Sequence, residues 1–212
     1  SVGFSGSVKM IGINAFYDCS ALKSIVFPDG LEEVGEQAFW GCSALKSVGF
    51  PDGVKTIGRR AFSECVALES VTLPDSVKTI GDYAFYRCVA LESADTSAAS
   101  VGQYAFWRCI ALKKADLSGV QTIGDYAFYE CSALESVELS GGLQSIGERA
   151  FDGCCALKSI VIPESVTDVG SFAFDGWTKE QTIYVAAEEK PAGWDVNWYD
   201  YSEAAVVWGY KG

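Results

Sequence analysis

Eight cysteines, a scatter of Asp and Glu, and no histidine at all define the chemistry open to this chain of 212 residues. Cys19, Cys42, Cys65, Cys88, Cys109, Cys131 and Cys154 recur once per repeat, and Cys155 stands outside the pattern. Zinc sites draw closely spaced Cys pairs to a point, whereas these thiols fall along a line. Stacked at the strand repeat of about 4.8 Å, their Cβ atoms are farther apart than the approximately 3.8 Å of a disulfide. The seven are therefore expected to be buried, reduced and metal-free, serving as small apolar residues. Cys155, in a variable column, is expected at the surface. The missing histidine removes the commonest general base and the Ser-His-Asp arrangement. Asp95, Asp116 and Glu138 fall at one position of successive repeats. A carboxylate pair can hydrolyse a glycoside, and calcium takes oxygen ligands from compact Asp-rich loops. The simpler reading of this column is a solvated acidic stripe. No catalytic residue, metal or cofactor is assigned.

The elements that must position these residues come from one phrase used eight times: a β-branched residue, Gly, two variable residues, then Ala-Phe. Its Phe residues are Phe16, Phe39, Phe62, Phe85, Phe106, Phe128, Phe151 and Phe174, at steps of 23, 23, 23, 21, 22, 23 and 23. A fixed period of this size means a solenoid, because one coil cannot bury its own apolar face. Each repeat opens on a strand such as Leu22-Lys23-Ser24-Ile25-Val26-Phe27, with period-2 alternation. Pro28, Pro51, Pro74 and Pro163 end strands, since proline has no N–H for the ladder. Pro28-Asp29-Gly30 and Pro51-Asp52-Gly53 are turns. A second short extended piece follows, such as Val77-Lys78-Thr79-Ile80, and Ala-Phe-x-x-Cys has room for one helical or 3₁₀ turn. The column glycines, from Gly12 to Gly170, are expected to serve positive φ or close approach between coils. The Phe rings are expected to form a buried stack. About eight coils, one parallel sheet and a C-terminal cap follow, with residues 1–180 as the solenoid and 181–212 as its cap.

Composition narrows the partners. Apolar residues make up 49% and charged residues 21% of the chain, as suits one folded domain. A net charge of −12 argues against nucleic acid, whose phosphates reward clustered Lys and Arg. The longest apolar run, Ala204 to Trp208, is too short to enter a bilayer as a span. Phe4 lies 23 residues before Phe27, so the sequence begins inside a repeat and reads as trimmed from a longer one.

Leu-x-x-Ile-x-Leu-Pro followed by Ile-Gly-x-x-Ala-Phe-x-x-Cys resembles the BspA-like, or Treponema-type, leucine-rich repeats of bacterial surface and secreted proteins. The resemblance runs from residue 1 to about residue 180. The tail, with Pro191, Trp194, Trp198 and Val206-Val207-Trp208-Gly209, is similar to the ends of such proteins from gut-dwelling bacteria. What the resemblance implies is a leucine-rich solenoid with one sheet on its concave side, display outside the cell and, for some members, adhesion to host proteins or other bacteria. Two copies depart from the pattern: those opening at Leu91 and Leu112 are shortened, carry Ser97 and Ser118 in place of Pro, and bear Ala94-Asp95 and Ala115-Asp116.

Two surfaces are left for function. The outward strand column runs through Thr72, Asp95, Asp116 and Glu138, beside Ser93 and Lys114. It coincides with the shortened copies, where departures from local consistency are expected to mark a site. The alternative is a stripe after each Ala-Phe, with Tyr86, Trp107 and Tyr129 joined by Tyr83, Tyr104 and Tyr126. Tyr and Trp are enriched at interface hot spots, though packing between coils is the simpler reading. In the tail, Trp194, Trp198, Tyr199, Tyr201, Trp208 and Tyr210 read as a capping mini-core or as a sugar-stacking platform. The expected function is non-catalytic recognition at the cell surface or outside it, with a structural spacer as the alternative and a carboxylate glycosidase as a remote third.

Overall fold

The computed structural model describes Phe4, residues 7–96 and residues 98–212. Ser97 and the chain start at Val2 lie outside the described residues, as does the side chain of Asp95. The repeats stack as a parallel β-solenoid with two strand-bearing sides and one side built from turns.

The first side carries the Leu-x-x-φ-x-φ strands. Ser47–Gly49, Ser70–Thr72, Ser93–Asp95, Lys114–Leu117 and Ser136–Leu139 form one five-stranded sheet. Ser159–Ile162, Thr182–Val185 and Ala205–Trp208 form another of three strands. Alternation does the sorting: Val48 and Val71 are buried while Ser47, Gly49, Ser70 and Thr72 face solvent. The second side is a continuous eight-stranded sheet of two-residue strands, from Met10–Ile11 to Asp168–Val169. The single sheet expected from the repeat is thus three sheets. About nine turns replace the expected eight, because Ala205–Trp208 pairs in parallel with Thr182–Val185 and adds a layer inside the cap.

The third side contains no helix, contrary to the expected helical turn. Residues two before and two after each Phe adopt positive φ, for example Gln37 (53°), Arg60 (54°), Glu64 (61°) and Tyr83 (58°). Left-handed residues at this spacing stop any right-handed helical run. They also aim alternate N–H groups at the next coil. The Gln37, Phe39 and Gly41 N–H groups donate to the carbonyls of Arg59, Ala61 and Ser63 at 2.9, 2.8 and 2.9 Å. The intervening N–H groups close local turns, such as Cys42 to the Phe39 carbonyl at 3.2 Å.

The column glycines do not hold the positive φ; their role is close approach. A Cβ on Gly147 would lie 2.4 Å from the Asp125 nitrogen and 2.5 Å from the Gly124 carbonyl carbon. On Gly12, which has no described coil before it, a Cβ would meet nothing within 4 Å. The column is glycine because each coil's backbone rests on the one before it.

Inside, the Phe rings stack at centroid distances of 5.0 to 5.9 Å with planes nearly parallel. Cysteine adds a second tie. The thiols of Cys42, Cys65, Cys88, Cys109, Cys131 and Cys154 each donate to the Phe carbonyl of the preceding coil at 3.2 Å. Desolvation pushes the Cys42 thiol up to about 11 and raises Cys65, Cys88, Cys109, Cys131 and Cys154 as well. Cys19 breaks the expectation of seven buried thiols: with no described coil beneath it, it is exposed, as is Cys155. At the other end Trp177 stands in the Cys column, and its indole N–H donates to the Phe151 carbonyl at 3.0 Å. Trp177, Trp194 and Trp198 are buried. Trp177 and Trp198 meet Phe174 edge to face, at 81° and 88°. Burial withdraws Trp194 and Trp198 from the sugar-platform reading, while Tyr199 and Tyr201 remain exposed.

Two expectations follow. Gly147→Ala, which drives a methyl group into backbone, should cost about 3 kcal/mol, and Gly12→Ala should be near neutral; urea midpoints measure both. A thiol reagent at mildly alkaline pH should label Cys19 and Cys155 in the native protein and the other six only on unfolding. Labelling of all eight without denaturant would show that the column is not buried.

Candidate functional site

Register decides which predicted residues meet. Thr72 is opposite Asp95, Asp95 opposite Asp116, and Asp116 opposite Glu138. One row across four coils therefore holds all four. Ser93 is opposite Lys114 in the neighbouring row, with Ser70 and Ser136 on either side. Thr72, Lys114 and Glu138 are exposed; Ser93 and Asp116 are half-buried. Small serines flanking the row leave its backbone approachable.

Asp116 does local work as well. Its Oδ1 accepts the Ser118 N–H at 3.0 Å, closing the turn that the missing residue tightened. Hydrogen bonds from Ser118 hold its carboxyl below the ordinary aspartate value, with Lys114 adding to the effect. Asp116 is thus an oriented anion at neutral pH. In the other shortened copy, the Thr96 hydroxyl accepts the Ala98 N–H at 3.0 Å. Asp116 and Glu138 stand side by side on adjacent strands, whereas glycoside hydrolysis places its two carboxyls on either side of the scissile bond. Among the described residues, no group of three or more His, Cys, Asp or Glu is arranged to hold a metal ion.

The row ends at a feature that sequence reasoning missed. Ser136–Leu139 and Ser159–Ile162 belong to different sheets. Beside the break lies a cleft of ≈ 450 Å³ lined by Val137, Glu138, Leu139, Ile160, Val161 and Pro163. Val137 and Leu139 are half-exposed there, although Val71 and Leu73 at the same positions are buried. The break falls where the repeat returns to full length, and where Ser140-Gly141-Gly142 replaces the usual Pro-Asp turn. That substitution was the available signal.

The aromatic stripe lies on the turn side. Tyr86 stacks on Trp107 at 4.7 Å and Trp107 on Tyr129 at 5.9 Å. Tyr83, Tyr104 and Tyr126 form a parallel ladder at 4.7 and 4.8 Å. Tilted contacts of 5.6 Å between Tyr83 and Tyr86, and between Tyr126 and Tyr129, join the two. All six rings are half-buried, so they pack coil on coil while their edges stay open to solvent. The Arg108 guanidinium covers Trp107 at 4.8 Å. The Tyr126 hydroxyl donates to Glu148 at 2.8 Å; burial first, then that carboxylate, pushes it up to about 12. Next to the Tyr ladder, a shallow groove of ≈ 590 Å³ runs over Gly102, Gly124 and Gly147 between Asp82, Asp125 and Glu148. Asp82 and Asp125 spend an oxygen each on backbone N–H groups of the following coil, at 2.9 Å.

Comparison with known proteins agrees with this geometry. Residues 9–117 and 99–190 match the BspA type leucine-rich repeat region, in six copies. A leucine-rich repeat protein from Bacteroides ovatus is 30% identical over 92% of this chain, with a TM-score of 0.62. The chain spans 57% of that protein's length. The T. pallidum leucine-rich repeat protein is 33% identical, over 72% of this chain and 75% of its own, with a TM-score of 0.64. A leucine-rich repeat protein from Eubacterium ventriosum, 24% identical over 89% of this chain and 65% of its own, shares the fold with a TM-score of 0.54. None of the curated proteins matches. No helix among the described residues is long and apolar enough to cross a membrane. With its Ala-Phe rungs, its thiol ties and its paired strand sides, the chain belongs to the BspA-type leucine-rich repeat family.

Proposed function

We propose that this chain is a non-catalytic recognition module that works at the cell surface or outside the cell and binds a protein or glycan partner along its strand face. The observation that carries the reading is the row Thr72, Asp95, Asp116, Glu138, with Ser93 and Lys114 beside it, in strict register on one open sheet. A repeat scaffold does not need carboxylates there. Elsewhere in the same column stand Val26, Gly49 and Val161, so acidity is confined to the two shortened coils and the one that follows them. The row suits a basic or hydroxyl-rich partner, because like charge across an interface is penalised. Family membership supports display outside the cell. The cleft beyond Glu138 gives a partner an apolar anchor next to the charged row.

The test is surface binding measured on immobilised protein against extracellular host proteins and a glycan array. Glu138→Lys combined with Thr72→Trp should weaken the partner about tenfold or more while leaving thermal unfolding nearly unchanged, since both side chains are exposed. Raised salt should weaken it too. Unaltered affinity in the double variant would remove the strand row from consideration.

A further inference from the structure

The position directly after the column Phe reads Tyr17, Trp40, Ser63, Tyr86, Trp107 and Tyr129 in the first six coils, then Asp152 and Asp175. Neighbouring rings in this column stack face on face: Tyr17 on Trp40 at 4.7 Å, and Tyr86 on Trp107 at 4.7 Å. Ser63 interrupts the ladder by one rung. Trp40 and Tyr86 each have one face covered by an aromatic neighbour and are separated from each other by the Ser63 coil. A cavity of ≈ 360 Å³ lies there, lined by Trp40, Ser63, Tyr86, Gln37, Arg60 and Glu64. Ser63 is 2% exposed and forms the floor.

We propose that this gap is a slot for one six-membered sugar ring of a neutral saccharide, clamped between the faces of Trp40 and Tyr86. The proposal rests on the recognition reading above but uses a different surface. Walls two coils apart stand about 9.6 Å from each other at the strand repeat. Contact at roughly 3.5–4.0 Å on each side leaves about 2 Å for the thickness of the occupant itself. A flat aromatic ring would sit there at the 4.7–4.8 Å spacing of the ladder itself; a puckered ring with axial C–H groups on both faces fills the gap more fully. The rim decides the chemistry further. Arg60 is held 4.9 Å over the Tyr83 ring, and Glu64 is held by Arg87 at 3.4 Å. Guanidinium and carboxamide donors and a carboxylate acceptor therefore surround a slot whose walls are apolar. Equatorial hydroxyls around the whole ring use such a rim, whereas a phenyl edge offers it no hydrogen bond and a phenol or indole only one group. A partner arginine would meet Arg60, a like charge, at the entrance.

The experiment is an array of neutral glucose, galactose and mannose oligosaccharides, followed by titration of the strongest binder. Ser63→Tyr supplies the missing rung; it should fold with an unchanged or raised melting temperature and lose saccharide binding about tenfold or more. Trp40→Ala and Tyr86→Ala open the clamp and should lose it as well, which keeps the test alive if Ser63→Tyr folds poorly. Lys179→Ala, an exposed change outside both surfaces, should leave saccharide binding intact. No array signal, or a signal that these three variants leave unchanged, overturns the slot. A partner lost in Glu138→Lys and kept in Ser63→Tyr would sustain the strand row and overturn the slot. A saccharide lost in Ser63→Tyr, Trp40→Ala and Tyr86→Ala but kept in Glu138→Lys would sustain the slot. Binding of indole-bearing peptides without any saccharide would overturn the ligand class.

Discussion

The carbonyls of Phe16, Phe39, Phe62, Phe85, Phe106 and Phe128 each accept two hydrogen bonds, one from the Cys N–H of the same coil and one from the Cys thiol of the next. That shared acceptor fixes both the turn within a coil and the stacking between coils. A buried carbonyl has two lone pairs, and leaving one unfilled costs free energy. The thiol fills it from a side chain that is otherwise apolar and small enough for the core. Once it is satisfied, the Phe rings above and below are held at stacking distance, and the column glycines come into contact. The cysteine column is structural for a reason beyond bulk: it is a donor.

Most of the fold was legible because a repeat reports itself many times over. The Phe column, the strand alternation and the absence of disulfide spacing each rested on seven or eight copies of one pattern. What the sequence concealed lies in local geometry. Gln37, Arg60 and Tyr83 give no hint of positive φ, since nothing in their side chains favours it. Their conformation is imposed by bonds to the next coil, which is why a helical turn seemed natural there. Cys19 followed the pattern of its column yet is exposed, because burial in a solenoid is supplied by the neighbouring coil.

The candidate sites show the same division. Register placed Thr72, Asp95, Asp116 and Glu138 in a row, as the column alignment implied. The sheet break beside Glu138 falls between two full-length coils, those opening at Leu134 and Leu157, and Ser140-Gly141-Gly142 in place of a Pro-Asp turn was its one mark in the sequence. Ser63 was visible all along as the one small residue between Trp40 and Tyr86, but its meaning as a gap required the rings on either side to be seen stacking. In a repeat protein the informative residue is often the one that fails to repeat.

The tryptophan at the end of the thiol column changes what kind of object the molecule is. Up to Phe174 every layer presents the next with a copy of itself, as a crystal face does to arriving molecules. Trp177 takes the Phe151 carbonyl with an indole in place of a thiol, and Trp177 and Trp198 turn edge-on to the final ring. A further rung would need a parallel ring face on Phe174 and finds two indoles edge-on instead. The ladder of Phe rings therefore ends the way a mismatched molecule ends a row in a crystal, by offering the next layer a different face.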